Sequence, residues 1–246
     1  MSEAPKPFPV LGLRVHLFND YAGWLRSRLN QGMGTHVVTL NAEMTMLCER
    51  NDTLTGIIHQ ADLVIPDGAG IVLYFRLQGK RIQRCPGIEL AQALLQSSGQ
   101  LGASWRVFFY GGAPGVAQRA AGVWQQQLPG LSVAGTQHGY LCAAEEAKLR
   151  QTLTQLQPQL ILVGLGVPRQ ELWIAQNRFL CPQATWIGVG GSFDVWAGVK
   201  SRAPGWLANN NLEWLYRLYQ EPWRWRRMLA IPKFAWKVLF HLIKSG

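Results

Sequence analysis

Six short apolar runs that alternate with longer helical segments constrain the fold of this chain more than any other feature. The runs lie at residues 36–40, 63–65, 106–110, 131–134, 159–163 and 184–189. They lack the alternation of polar and apolar residues that a half-exposed strand shows, so we expect each to be buried on both faces. The sequence therefore predicts an α/β fold, with a Rossmann-like, mainly parallel sheet covered by helices on both faces.

Segments with helical spacing separate these runs, at residues 41–58, 87–101, 116–128, 145–156 and 168–180. Residues 1–10 are predicted to be a loose leader. Glycine and proline cluster at 198–206, and beyond them the pattern is helical only. We therefore predict two parts: a Rossmann-like catalytic core at 1–200 and a C-terminal helical appendage at 201–246.

The appendage is unusually basic and rich in tryptophan. The whole chain carries a net charge of +10, and residues 201–246 hold eight basic and two acidic residues and five of the eleven tryptophans. A basic balance indicates an anionic partner, such as a phosphorylated substrate, a membrane or nucleic acid. Basic residues with tryptophan are typical of a helix that lies in a membrane interface. A solvated basic face, with tryptophan in the core, is the alternative.

The chain contains no segment that we expect to cross a membrane. Residues 228–243 are the most apolar stretch, but Pro232, Lys233, Lys237 and His241 interrupt it, and a span needs about 20 apolar residues. The start of the chain lacks the apolar centre of a signal peptide. We therefore expect a cytoplasmic protein that is peripheral on the inner face of the cell membrane.

Neither the cysteines nor the histidines have the spacing of a metal site. The four cysteines are scattered at Cys48, Cys85, Cys142 and Cys181, with no CxxC pair. The five histidines form no metal-ligand pattern. We expect reduced thiols, no metal and no cofactor.

Polar residues and glycine-rich turns follow the predicted strands, where ligands bind in open α/β sheets. Thr39 and Asn41 follow the first strand, and Asp67 follows the second. The turns at residues 111–115 and 188–194 could cradle a phosphate at a helix start. Neither matches GxGxxG, so a purely structural turn remains the alternative for both.

Asp67 is the candidate general base, because a carboxylate at a strand end can remove a proton from an attacking hydroxyl. An ordinary Asp-Gly turn explains the same two residues, which favour turns in any case. Five other carboxylates compete for the role, at Glu43, Asp62, Glu89, Glu171 and Asp194.

Arginines of the appendage are candidates for binding a departing diphosphate. The chain has no Asp-x-Asp pair, which many nucleotide-sugar enzymes use to hold a cation there. Arginine is a suitable replacement, since its fork matches phosphate oxygens. Arg224 and Arg227 are one helical turn apart, and Arg217 would share their face unless Pro222 breaks the helix. Contact with lipid headgroups alone is the alternative.

The combination of these segments resembles the WecG/TagA/CpsF glycosyltransferases over roughly residues 37–227. The segments that carry the resemblance are 39–43, 61–68, 84–89, 109–115, 164–171, 188–194 and 212–227. The resemblance implies a GT-E fold, in which a Rossmann-like core carries a helical appendage. It also implies metal-independent, inverting enzymes at the cytoplasmic membrane face.

The resemblance extends to individual positions. The family's proposed base corresponds to Asp67. Family positions that line the sugar pocket or surround the nucleotide-sugar correspond to Thr39, Asn41, Arg84, Tyr140, Gln170 and Asp194. Appendage arginines that close over the diphosphate correspond to Arg217, Arg224 and Arg227.

The activity that the resemblance implies is sugar transfer in bacterial cell-surface or exopolysaccharide synthesis. The donor would be a UDP-sugar carrying an N-acetylmannosamine-type or other hexose, and the acceptor a polyprenyl-diphosphate-linked glycan. An anionic membrane surface is the expected partner, nucleic acid is not expected, and a homo-oligomer is left open. The alternative is a non-catalytic, membrane-associated partner protein that binds UDP-sugar. An NAD-type oxidoreductase is disfavoured because the dinucleotide fingerprint is absent.

Overall fold

The computed structural model describes residues 5–209 and 212–245. Its strands are β1 (Lys6–Val10), β2 (Leu13–Leu17), β3 (Thr35–Leu40), β4 (Leu63–Pro66), β5 (Val107–Gly111), β6 (Val133–Gln137), β7 (Leu160–Gly164) and β8 (Thr185–Gly188). Helices α1–α7 are Tyr21–Asn30, Ala42–Cys48, Asp52–Gln60, Ala69–Leu77, Gly87–Leu101, Val116–Gln127 and Ala143–Leu156. Helices α8–α13 are Arg169–Asn177, Ser192–Trp196, Gly205–Asn209, Glu213–Gln220, Trp225–Met228 and Ala230–Ser245. Short 3-10 turns lie at Gly102–Ser104, Arg178–Leu180 and Pro222–Arg224.

Strands β3 to β8 form one parallel sheet in the order β4-β3-β8-β7-β5-β6. These are the six runs of the sequence, so the predicted fold class is confirmed. The carboxyl ends of all six strands therefore meet at one edge of the sheet. The distance from β4 to β5 across the sheet is four strand spacings, or about 19 Å at roughly 4.8 Å each.

Helices cover both faces of the sheet, as predicted. Successive residues of β3 show the arrangement, because Val37 packs into the hydrophobic cluster on one face and Val38 into the cluster on the other. Both side chains are fully buried. The absence of polar alternation in the sequence follows from this burial on two sides.

The first ten residues differ from the prediction. Strands β1 and β2 pair in an antiparallel hairpin, so a loose leader is wrong for Lys6–Val10. Val10 and Val15 are fully buried in the cluster that also holds Val38. Pro7 and Pro9 hid this strand in the sequence, since proline usually argues against one.

The predicted helix at 41–58 is two helices. The first ends at Cys48, and Asn51 caps the second, because its side-chain oxygen accepts a hydrogen bond from the Leu54 amide at 2.9 Å. Asn41 caps α2 in the same way, through the Met44 amide at 2.9 Å. A side chain that caps a helix start favours a break over a continuous helix.

The C-terminal segment is helical, as predicted, and its last helix packs on the core. Phe234 and Val238 of α13 are each 2% exposed, and they join the cluster that contains Met44 of α2 and Tyr74 of α4. The division at residue 200 stays a prediction. Within the described residues, no helix is both long enough and apolar enough to span a bilayer.

Replacing Phe234 by alanine tests the packing of α13 on the core. We expect Phe234→Ala to lower the free energy of unfolding by about 3 kcal/mol, because it leaves a cavity between α13, α2 and α4. Trp236→Ala is the matched control: this aromatic of the same helix is 64% exposed, and its loss should change stability by less than about 0.5 kcal/mol. Urea unfolding measures both. Equal effects would contradict the packing.

Candidate active site

A cavity of about 610 Å³ runs along the carboxyl ends of β4, β3, β8, β7 and β5. One side of the cavity is formed by the loops that follow these strands. The other side is formed by residues 200–203 and by Glu213, Arg217, Gln220, Glu221, Trp223 and Arg227. The predicted site residues that line it are Thr39, Asn41, Asp67, Tyr140, Gln170, Asp194, Arg217 and Arg227. The structure thus brings most of the predicted site together at the edge where the sheet topology places ligands.

Asp67 lies at the end of β4, under the appendage. Burial raises the pKa of its carboxyl to about 6, with the negative charge of Glu213 adding to the rise. The cations of Arg217 and Arg84, and the Gly87 backbone N–H that donates to the carboxylate, limit that rise in pKa. A carboxyl with a pKa near 6 is mostly ionised at neutral pH and is a stronger base than an ordinary aspartate.

Glu213 connects the appendage to the region around Asp67. Its carboxylate accepts a hydrogen bond from Arg217 at 2.7 Å and lies 3.8 Å from the guanidinium of Arg84. Asp67, Glu213 and Arg217 therefore line this end of the cavity, and Arg84 lies beside Glu213 without lining it. Sequence analysis did not single out Glu213, although its i,i+4 spacing to Arg217 signalled the ion pair.

Arg84 does not line the cavity. Arg84 borders a smaller cavity of about 200 Å³ on the other side of the Arg84–Pro86 segment, together with Cys85 and Glu89. Its positive charge still lowers the pKa of Asp67. The side chain of Arg224 lies outside the residues that the structure describes.

Helix α11 ends at Gln220, and a 3-10 turn starts at Pro222. Proline therefore breaks the helix between Arg217 and Arg227, as the sequence indicated. The two arginines still reach the same cavity. Arg227 forms an ion pair with Glu43 of α2, so a competing candidate for the base is engaged with the appendage instead.

Lys200 adds a cation that the sequence analysis missed. Its ammonium lies 2.8 Å from Asp194 and 3.0 Å from Glu221. Burial lowers the pKa of this lysine, but hydrogen bonds to both carboxylates outweigh burial and raise it. Lys200 is therefore charged where it lines the cavity. No motif marked it, because its two partners come from different segments.

Gln170 is buried and holds the turn that follows β8. Its side-chain oxygen accepts a hydrogen bond from the Gly190 amide at 3.0 Å, and its nitrogen donates to Glu171 at 3.0 Å. A side chain at Gly188 would place its Cβ 2.3 Å from the Gln170 nitrogen, so only glycine fits there. The buried side-chain amide of Gln170 therefore holds the turn at residues 188–194 in place.

The turn after β5 has a structural reason for its glycines. A Cβ on Gly111 would lie 2.3 Å from the backbone oxygen of Gly164 on the neighbouring strand. Gly139 donates its amide to Gly112 at 2.8 Å, and Arg169 donates to the Gly139 carbonyl at 3.1 Å. Tyr140 follows, with 70% of its surface exposed beside the cavity. Its ring is therefore available to a ligand.

Within the described residues, no three histidine, cysteine or acidic side chains lie together as a metal site would require. Metal independence of the reaction stays a prediction.

Comparison with known proteins identifies the family. The model of the glycosyl transferase WecG/TagA/CpsF family matches residues 8–246. The chain belongs to this family. It is therefore an enzyme, a glycosyltransferase, and the alternative of a non-catalytic partner protein is not supported.

Two relatives from bacilli carry a more detailed name. Both are called N-acetylglucosaminyldiphosphoundecaprenol N-acetyl-beta-D-mannosaminyltransferase. The protein of Bacillus spizizenii is 38% identical over 214 residues, which is 87% of this chain and 82% of the relative. The protein of Bacillus subtilis is 33% identical over 232 residues, which is 94% of this chain and 88% of the relative.

The pH dependence of this glycosyltransferase should report the ionisation of Asp67. We expect kcat/KM to fall below about pH 6, because Asp67, the predicted base, is then protonated in the free enzyme. Glu213→Gln removes a negative charge beside Asp67, so the pKa of Asp67 falls and the acidic limb moves to lower pH. Glu145→Gln, at an exposed carboxylate of α7, is the control. An acidic limb unchanged by Glu213→Gln would contradict this arrangement.

Proposed function

We propose that this protein is an inverting glycosyltransferase of bacterial cell-surface or exopolysaccharide synthesis. It moves an N-acetylmannosamine-type sugar, or another hexose, from a UDP-sugar to a polyprenyl-diphosphate-linked glycan acceptor. The observation that carries the proposal is the enclosed carboxylate of Asp67 at one end of a cavity that cationic side chains cover. The names of the two relatives support the acceptor and the N-acetylmannosamine-type sugar.

Asp67 is the proposed general base. It takes the proton of the acceptor hydroxyl as that oxygen forms a bond to the anomeric carbon of the donor. The bond between the anomeric carbon and the diphosphate oxygen breaks on the opposite face of the sugar, and UDP leaves with its electron pair. Displacement in line converts an α-linked donor into a β-linked product, in agreement with the beta configuration in the names of the relatives.

Departure of UDP needs positive charge where the diphosphate lies. Arg217, Arg227 and Lys200 line the cavity and supply it. Each is paired with a carboxylate of the protein, from Glu213, Glu43 and Asp194 respectively. We propose that the diphosphate of the donor takes over part of these contacts, since phosphate oxygens suit the guanidinium fork. Arg224 stays a predicted member of this set.

The shape of the cavity fits an elongated donor. It extends from Asp67, Thr39 and Asn41 after β4 and β3 to the turns after β7 and β5. The sugar would lie at the Asp67 end. The nucleoside would lie toward Tyr140, whose exposed ring offers a surface on which a base can stack.

The appendage is the proposed membrane-binding element. Trp223, Trp225 and Trp236 are all more than half exposed, and Arg226 lies over the ring of Trp225 at 5.4 Å. Basic residues near an anionic leaflet contribute about 1 kcal/mol each to docking. The inner face of the cell membrane is the proposed location, because a lipid-linked acceptor is held there.

Release of UDP tests the proposed reaction. The donors are UDP-N-acetylmannosamine, UDP-N-acetylglucosamine, UDP-glucose and UDP-glucuronic acid, and the acceptors are short-chain polyprenyl-diphosphate-N-acetylglucosamine and its glucose counterpart. We expect release that requires acceptor, with UDP-N-acetylmannosamine and the N-acetylglucosamine acceptor as the first pair. Binding of a UDP-sugar without acceptor-dependent release by any pair would contradict the proposal.

Substitutions at Arg217 and Arg226 test whether Arg217 stabilises the leaving UDP or only adds to the positive charge of the appendage. We expect Arg217→Ala to lower kcat by about 100-fold, because a donor to the developing charge on UDP is lost. Arg226→Ala removes the same charge from the exposed side of the appendage and should leave kcat with a soluble acceptor unchanged. The assay is run at pH 8, where Asp67 stays ionised in both variants. Equal effects of the two substitutions would contradict the role of Arg217.

A further inference from the structure

Helix α4, which follows Asp67 closely, has an apolar side that is half exposed within the described residues. Ile71 and Phe75 face the core and are fully buried, whereas Leu73 and Leu77 are each 49% exposed. The two leucines are four residues apart and therefore lie one above the other on the outward side of the helix.

Helix α13 lies beside α4 and has an apolar outward side of its own. The ring of Phe234 lies 3.5 Å from where a Cβ of Gly70 would be, and the rings of Tyr74 and His241 are 6.3 Å apart. The two helices therefore run side by side. This contact places the exposed side of α4 next to that of α13.

The outward residues of α13 are mainly aromatic. At 100° per residue, Trp236, Phe240 and Ile243 fall opposite the buried Phe234 and Val238. Trp236 and Phe240 pack together with ring centroids 4.9 Å apart, and Ile243 is 77% exposed. Exposed apolar residues on two adjacent helices form a patch of the kind that marks an interaction surface.

Basic residues border this patch. Residues 69–83, which are α4 and the loop after it, contain Arg76, Lys80 and Arg81 and no acidic residue, and all three basic side chains are exposed. Lys233 of α13 is exposed as well, and so is Lys237, which is paired with Glu49. A second copy of the chain on this face would bring like charges together, whereas an anionic lipid surface complements them.

We propose that α4 and its loop join α13 in one lipid-binding face, defined by Leu73, Leu77, Trp236, Phe240 and Ile243 and its basic border. The partner is a bilayer that contains anionic phospholipid. The inference rests on the proposed function and deepens it, because the α/β core itself then contacts the membrane. Helix α4 is nine residues long, about 14 Å, so Asp67 would be held about that far or less from the bilayer surface that carries the lipid-linked acceptor.

Vesicle binding by a leucine variant tests the face. In co-sedimentation with vesicles of phosphatidylcholine and phosphatidylglycerol, we expect Leu73→Ser with Leu77→Ser to weaken binding by about tenfold, because two apolar side chains no longer enter the bilayer. Leu101→Ser is the matched control, since Leu101 of α5 is 45% exposed outside the face. Turnover of a soluble short-chain acceptor should stay unchanged in all variants, and its absence in the wild type would count against the proposed function instead.

Three outcomes would overturn the lipid-binding face. Binding that the double leucine variant leaves unchanged, while Trp236→Ser abolishes it, would assign the membrane contact to α13 alone. Failure of the wild-type protein to bind anionic vesicles would show that an anionic bilayer is not the partner of this face. A dimer that the leucine substitutions convert to monomer, with vesicle binding intact by the same assay, would make the face a contact between two copies.

A second inference comes from a separate, buried network of hydrogen-bonded side chains. His36, Gln170 and Glu171 are each at most 2% exposed. The Nε2 atom of His36 lies 3.1 Å from one oxygen of Glu171, whose other oxygen accepts from Gln170 at 3.0 Å. Gln170 in turn accepts from the Gly190 amide. This hydrogen-bond network connects the start of β3 to the turn at residues 188–194, which lines the cavity.

The geometry points to Glu171 as a positioning residue for the donor site. Its carboxylate fixes the Gln170 amide with the nitrogen toward Glu171 and the oxygen toward Gly190. Without that acceptor the amide can rotate, and the turn at residues 188–194 loses its support. Glu171 itself does not line the cavity, so it acts through Gln170.

Kinetics of three variants test the positioning role. We expect Glu171→Ala to raise KM for the UDP-sugar by about tenfold, since a buried hydrogen-bonded group is lost, with kcat nearly unchanged. Glu171→Gln keeps an oxygen for Gln170 and should restore KM. Asn177→Ala, at a buried amide of the same helix that donates to the Trp173 carbonyl, should lower Tm without raising KM. Raised KM in Asn177→Ala, or unchanged KM in Glu171→Ala, would overturn the assignment.

Discussion

Electrostatic contact between Asp67 and the appendage connects the α/β core of this protein to the charged residues that cover its cavity. Burial raises the pKa of Asp67, and Arg217 and Arg84 limit that rise. Arg217 and Glu213 come from a helix nearly 150 residues further along the chain than Asp67. Packing of α13 on the core supports this arrangement, since it fixes the end of the same segment. Residues from both predicted parts, the core and the appendage, therefore line one cavity around Asp67.

The fold was predictable because its strands are buried on both faces. A parallel sheet between two helical layers leaves continuous apolar runs, and each of the six runs became a strand. The N-terminal hairpin was not predictable, since Pro7 and Pro9 conceal the alternation of Lys6–Val10. The break between α2 and α3 was marked only by the capping side chain of Asn51. A single capping residue is a weaker signal than the helical spacing of the apolar residues around it, so the spacing predicted one continuous helix.

The site residues that could be predicted are those whose place follows from the order of strands in the sheet. Thr39, Asn41 and Asp67 follow strands, and strand ends meet at one edge. Glu213 and Lys200 were missed. Tertiary packing alone brings Glu213 to Arg84 and Lys200 to Glu221, and the local pairs of Glu213 with Arg217 and of Lys200 with Asp194 belong to no recognised motif. The role of Gln170 in holding the Gly190 turn likewise depends on a contact that no motif shows. Membership of the WecG/TagA/CpsF family gives the reaction class, and the geometry supplies the argument for each residue.

Turnover and donor binding by Asp67→Asn test the central claim most directly. The amide keeps the size of the side chain and removes its ability to accept the proton of the acceptor hydroxyl. The account predicts that acceptor-dependent UDP release falls by about 1,000-fold, while calorimetry shows the UDP-sugar bound within about twofold of wild-type affinity, because the donor contacts remain. Turnover near the wild-type rate in Asp67→Asn would contradict the assignment of the base, and with it the mechanism proposed for this enzyme.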